Sequence, residues 1–210
     1  MHIDVKHGMM TEKQIERIRV KITRVKRALA EDKKRWGGYY DDSAGYRYVV
    51  PGLYLKIRDY KGAMNTFRWF AKHFPDDVCY GEFLLEWALT LFKVGKLKEA
   101  ERKVVAAWVS GTWVWNTFFG RRVTAEDGAL DDVERDWQAR QVLGYSATEK
   151  DWADFAAWVE ALLSAESFLQ FSAAYLNVQQ RIKEEPDITK RNLLREERRA
   201  MLEGVGSTYG

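Results

Sequence analysis

Apolar residues along this chain recur every three or four positions, the period of one face of an α-helix, and strict alternation is sparse. Ile15, Ile18, Ile22, Val25 and Leu29 fall on one stripe, with Arg17, Lys21, Arg24 and Lys26 mostly on other faces. This predicts an amphipathic helix over 11–36, closed by Gly37-Gly38 and followed by the turn-rich "GGYYDDSAG". Two helix pairs are predicted next, 47–58 with 60–73 and 79–93 with 97–109. Their turns, at Arg58-Asp59 and Val94-Gly95-Lys96, are short enough to force antiparallel neighbours. Thr148-Glu149-Lys150-Asp151 has the form of a capping box, ahead of the stripe Trp152, Phe155, Val159 and Leu162. Phe168, Phe171, Tyr175, Val178 and Ile182 continue the spacing until Pro186, and a charged helix is expected over 188–202. The three prolines are expected at helix boundaries.

The two pairs are related by an internal repeat. With Ala63 set on Ala100, Tyr54 matches Leu91, Asp59 matches Lys96, Tyr60 matches Leu97, Phe67 matches Val104 and Phe70 matches Ala107. A small residue at 63 and 100 lets paired helices cross closely, while large residues fill the space between pairs. With "RDYKGA", Phe67 and the closing "FPDD" in the first unit and "VGKLKEAE" in the second, residues 47–112 resemble the tetratricopeptide repeat, a helix–turn–helix unit of about 34 residues. Thr112 stands where the second closing proline belongs, and Val50-Pro51 and Trp87-Ala88 replace the usual Trp and Leu-Gly signals. The alternative is an irregular helical bundle with two similar hairpins.

The resemblance implies a superhelix whose inner groove, built from the first helix of each pair, binds a peptide or partner helix. Tyr48, Leu55, Lys56, Glu82, Leu85, Leu89 and Phe92 are the groove positions it points to, some of the apolar ones serving as core. Tyr48-Val49 and Leu85-Glu86 stand where some relatives carry a Lys/Asn grip on a C-terminal carboxylate, which argues against that ligand. Two repeats cannot bury their own faces, so "WVWNTFFG" (113–120) is read as a cap on the second pair, with Trp113, Trp115, Phe118 and Phe119 as core.

Composition narrows the class without naming a reaction. The 210 residues are 46% hydrophobic and 31% charged, which suits a globular chain. The plan expected is all-α: a flexible tail over 1–10, one domain over 11–203 with C-terminal helices as a cap, and a flexible tail over 204–210. A net charge of +3 demands no polyanionic partner, but its distribution is uneven. Residues 11–35 hold ten Lys/Arg against four acids, and 123–166 hold eleven acids against three bases. A lone cysteine, Cys79, excludes a disulfide framework. The longest stretch free of charge, 104–120, is 17 residues and broken by polar positions, too short to span a bilayer. A cytoplasmic, monomeric protein with no membrane contact is expected.

Catalytic candidates are thin. His2 and His7 lie with Asp4 in the tail, and His73 ends a helix where a cation suits the dipole. Cys79 has no histidine beside it in sequence and reads as a small hydrophobe. The pairs Asp41-Asp42, Asp76-Asp77 and Asp131-Asp132 read as helix caps. No phosphate loop, nucleophile elbow or zinc spacing occurs, so no enzyme, cofactor or metal site is expected. A non-enzymatic interaction module presenting a groove to a protein or peptide is the expectation. Nucleic-acid binding through the basic first helix is the alternative.

Overall fold

Thr11 starts the first helix, α1 (Glu12–Arg35), by a reciprocal cap: its hydroxyl accepts from the Gln14 amide while the Gln14 side chain accepts from the Thr11 amide. The computed structural model to which α1 belongs describes residues 10–111, 113–121 and 143–208, and no strand occurs among them. The N-terminal tail before residue 10, with His2 and His7, and Asp131-Asp132 lie outside the described residues. The chain divides into two compact units, Met1–Glu149 and Lys150–Gly210.

In the first unit α2 (Tyr46–Lys56) and α3 (Tyr60–His73) form one hairpin, and α4 (Gly81–Lys93) and α5 (Leu97–Ser110) form a second. Helix α4 packs on both helices of the first hairpin, and α1 packs on α2. The α1 stripe is what docks. Ile22, Val25 and Leu29 are buried with Val50 and Leu53 of α2, and Ile18 packs partly buried against them. The loop after α1 is tied down by Asp32, whose carboxylate accepts the amides of Asp41 and Asp42 at 3.0 and 3.1 Å.

Several of the repeat positions lie in the core, though Leu97 is exposed and Tyr60 half-buried. Ala63, Ala100, Phe67, Val104 and Ala107 are fully buried, and Phe70 nearly so. Between the hairpins lies an aromatic core. Phe67 stacks on Trp87 at 4.9 Å, and Phe70 meets Phe83 at 4.7 Å. The aromatic stretch forms α6 (Trp113–Phe118), which packs on α4 and α5. Trp113, Trp115 and Phe118 are buried, Phe119 is half-buried, and the Trp115 indole donates to the Val104 carbonyl at 3.2 Å. A Cβ at Gly81 would stand 2.3 Å from the Val114 side chain, so the start of α4 needs glycine to admit α6.

The second unit has a single 3-10 turn (Lys150–Trp152) followed by α7 (Ala153–Ser164), α8 (Glu166–Glu184) and α9 (Ile188–Thr208). Helix α8 packs on α7 and α9, burying Phe168, Tyr175 and Val178, with Leu194 on α9. Three boundary expectations change. Pro51 lies inside α2, where its buried ring helps fill the core and removes only one backbone hydrogen bond near the helix start. The helix expected from the Thr148 box starts later, at Ala153, and the Ser146 amide bonds the Glu149 carboxylate at 2.7 Å instead. Helix α9 continues to Thr208 instead of releasing a tail at 204, since nothing in "LEGVGST" is a proline stop.

Candidate functional site

The site is built from residues of α2 and α4, the first helix of each hairpin, that reach the surface wholly or in part. Asp42 sets the start of α2 from a left-handed backbone (φ 40°), its carboxylate accepting from the amides of Tyr46 and Arg47 and from the Arg47 guanidinium. That conformation is unfavourable for a non-glycine residue, and these three bonds hold it. Arg47 also bonds Asp77 at 2.9 Å, joining α2 to the turn before α4. Asp42 and Asp77 therefore serve as structural anchors between elements, while the caps of α2 and α4 are Gly45 and Tyr80, so Asp77 is not the helix cap expected from the sequence.

Tyr48 belongs to this network. Its hydroxyl donates to Asp77 at 2.5 Å, and its ring lies against Phe70, Tyr80 and Phe83 with the Arg47 guanidinium 4.5 Å from its centre. Burial and then the Asp77 bond push its phenol up to about 12. The side chain holds two elements together more than it offers itself to a partner.

Leu55, Leu85 and Leu89, named from the repeat as groove positions, are fully buried. The correction has a simple cause: α4 is central, covered by α2, α3, α5 and α6, and a helix apolar on most sides must be enclosed. Phe92 is half-buried with the Lys93 ammonium 5.9 Å from its ring centre. Lys56 is exposed and Glu82 half-buried, and these two remain at the surface.

Between them lies Glu86, one turn after Glu82 on α4. A Cβ at Gly52, one turn before Lys56 on α2, would stand 2.5 Å from the Glu86 carboxylate, so the glycine makes room for it. The Tyr145 hydroxyl donates to that carboxylate from a stretch without helix, and Tyr145 is itself buried. Burial pushes Glu86 up to about 8, with the Lys56 charge opposing and Glu82 adding to the rise. Burial thus favours the protonated carboxyl over the charged form. On either side of Tyr145, Gly144 lies beside the Lys56 side chain and the Ala147 amide donates to the Phe118 carbonyl at 2.9 Å. Gly144 and Tyr145 of the chain itself thus lie against the face expected to take a peptide, at Lys56 and Glu86.

Gly52, Glu86 and Tyr145 were not among the positions the repeat points to. Extending the Lys56 and Glu82 rows by one helical turn reaches Gly52 and Glu86. Nothing local marks Tyr145, whose partner is 59 residues away.

The remaining candidates carry less chemistry. His73 is half-buried against Tyr40 and Trp69, and burial, with Lys33 and Lys72 nearby, lowers its pKa. Burial pushes the Cys79 thiol up, away from the reactive thiolate. Lys103 of α5 lies half-buried with its ammonium 3.7 Å from the Trp87 ring centre, and burial lowers its pKa. Compared with protein-family models, curated proteins and solved structures, the chain matches none.

Proposed function

We propose that this chain is a non-enzymatic interaction module, built on tetratricopeptide-like hairpins, whose α2–α4 face binds a short peptide segment of a partner protein. The observation that carries this reading is that Gly144 and Tyr145, from a stretch without helix, already lie against this face, with Tyr145 as an aromatic anchor and the half-buried Glu86 carboxyl as its acceptor. Tyr145 supplies the apolar ring and the hydroxyl, and Glu86 receives the hydroxyl. Lys56 and Glu82 offer opposite charges on either side of the anchor. A partner segment with a tyrosine, small neighbours and a charge complementary to Lys56 or Glu82 suits this face. The order of packing supports the repeat reading: the first helix of one pair meets the first helix of the next, and α1 covers the outer side as a preceding helix would.

The test is co-purification from the native host with tagged wild-type chain and with the double variant Lys56→Glu, Glu82→Lys. The reading expects at least one protein retained by the wild type and lost by the variant at unchanged melting temperature. Retention of every partner by the variant would contradict it.

Nucleic-acid binding keeps one observation in its favour. Arg17, Lys21 and Arg24 are exposed on α1 around a shallow depression that includes Val20 and Tyr46. Labelled oligonucleotides at two salt concentrations separate the readings, because phosphate contacts give a steep loss of affinity with salt.

A further inference from the structure

We propose that the cavity between α1, α2 and α3 is a binding site for a small aromatic carboxylate, independent of the α2–α4 face. The cavity has a volume of about 310 Å³. That is room for about ten water molecules, at the lower end of small-molecule sites and suited to one or two fused rings. Leu29 and Val50, both buried, line its apolar part, and Tyr40 and Trp69 line it with aromatic rings meeting edge to face at 5.3 Å.

The polar groups at this cavity include two donors, Lys26 and Tyr40, beside the Asn65 amide and the Thr66 hydroxyl, which can also accept. The Lys26 ammonium gives one bond to the Tyr54 hydroxyl at 2.8 Å and has two further N–H groups. The Tyr40 hydroxyl accepts from the Trp69 indole at 3.3 Å and keeps its own proton. Lys33 adds positive charge over the Tyr40 ring, 5.2 Å from its centre. Among the described residues no carboxylate lines the cavity. Glu31 and Asp32, which follow Ala30 in sequence, are engaged elsewhere, Glu31 with Arg27 and Asp32 with the amides of Asp41 and Asp42, while Asp41, next to Tyr40, is exposed and not part of the lining. An aromatic body over an apolar floor, with donors and lysines and no opposing acid, selects an anion over a cation of equal shape.

The experiment titrates the full chain with 2-naphthoate and with 2-naphthylmethylamine, a cation of similar size, following the Trp69 indole N–H signal by NMR. The signal is assigned by its loss in Trp69→Phe. Saturable binding of the acid is expected, with the amine weaker by about fivefold or more, since one exposed lysine contributes up to about 1 kcal/mol. Lys26→Met should bring the two ligands within about twofold. Ala30→Phe and Asn65→Phe, both at exposed positions on the cavity wall, should each abolish binding while leaving the circular dichroism spectrum unchanged. Absence of saturable binding, equal affinity for acid and amine, or binding that survives both filling variants in the folded state overturns the proposal.

Discussion

The Tyr145 hydroxyl donates to the carboxylate of Glu86, joining a stretch without helix to the central helix of the first unit across 59 residues of sequence. The carboxyl that receives it is half-buried on α4, faces a glycine on α2 and lies beside one lysine and one glutamate. A chain rarely leaves a carboxyl in such a place without a partner, because desolvation disfavours its charge. Here the partner is a tyrosine brought back from beyond α6.

Gly52→Ala should weaken that junction specifically. The new methyl group meets the Glu86 carboxyl at 2.5 Å and must displace it, which disturbs its bond to Tyr145. The expected result is a loss of about 1–2 kcal/mol and faster hydrogen exchange at the Ala147 amide. Unchanged exchange there, with α2 intact, would show that Glu86 does not hold the segment.

Glu86 also sets a pH dependence. Its folded value of about 8 lies above its ordinary value of 4.5, so the folded state keeps a proton that the unfolded chain releases. Its contribution is full below about pH 4.5 and is lost as pH rises towards about 8, on the order of a few kcal/mol. Urea melts of wild type and Glu86→Gln across that range should show a negative slope that the variant flattens. Parallel curves would contradict the assignment.

Ile22→Asp tests the docking of α1. The side chain is buried against α2, and an unpaired carboxylate there should cost more than about 3 kcal/mol. A lower melting temperature at unchanged oligomeric state is expected. If stability is kept and an oligomer dissociates instead, the stripe is an assembly surface.

The aromatic cap has its own test in Gly81→Ala. The added methyl group would stand 2.3 Å from the buried Val114 side chain, and α6 must shift to accept it. A loss of about 1–3 kcal/mol is expected, with changed near-ultraviolet circular dichroism from Trp113 and Trp115. Thermal melts of the variant measure it.

The helices were legible in sequence because burial imposes a period of three to four residues, and Ile22, Val25 and Leu29 show it in the docked stripe. Short turns likewise made the two hairpins legible. The site was less so. Lys56 reaches the surface and Glu82 is half-buried, while Leu85 and Leu89 are among the apolar groove positions that serve as core, because α4 is surrounded. Which sides of a helix are covered depends on its neighbours, and a single-helix pattern does not carry that information. The same holds for Tyr145, whose meaning lies in a contact that no local pattern encodes.

The central claim, that the α2–α4 face is a peptide acceptor, is tested most directly by supplying its occupant in trans. The labelled peptide LGYSATE, residues 143–149, is titrated by fluorescence anisotropy into wild-type chain and into Tyr145→Ala. A tethered segment competes at an effective concentration of roughly millimolar, so the vacated variant should bind at least about tenfold more tightly than wild type. Adding Lys56→Glu and Glu86→Leu should remove that binding, as should replacing the peptide tyrosine by alanine. Equal affinity for wild type and Tyr145→Ala, or binding indifferent to Lys56, Glu86 and the tyrosine, would contradict the account.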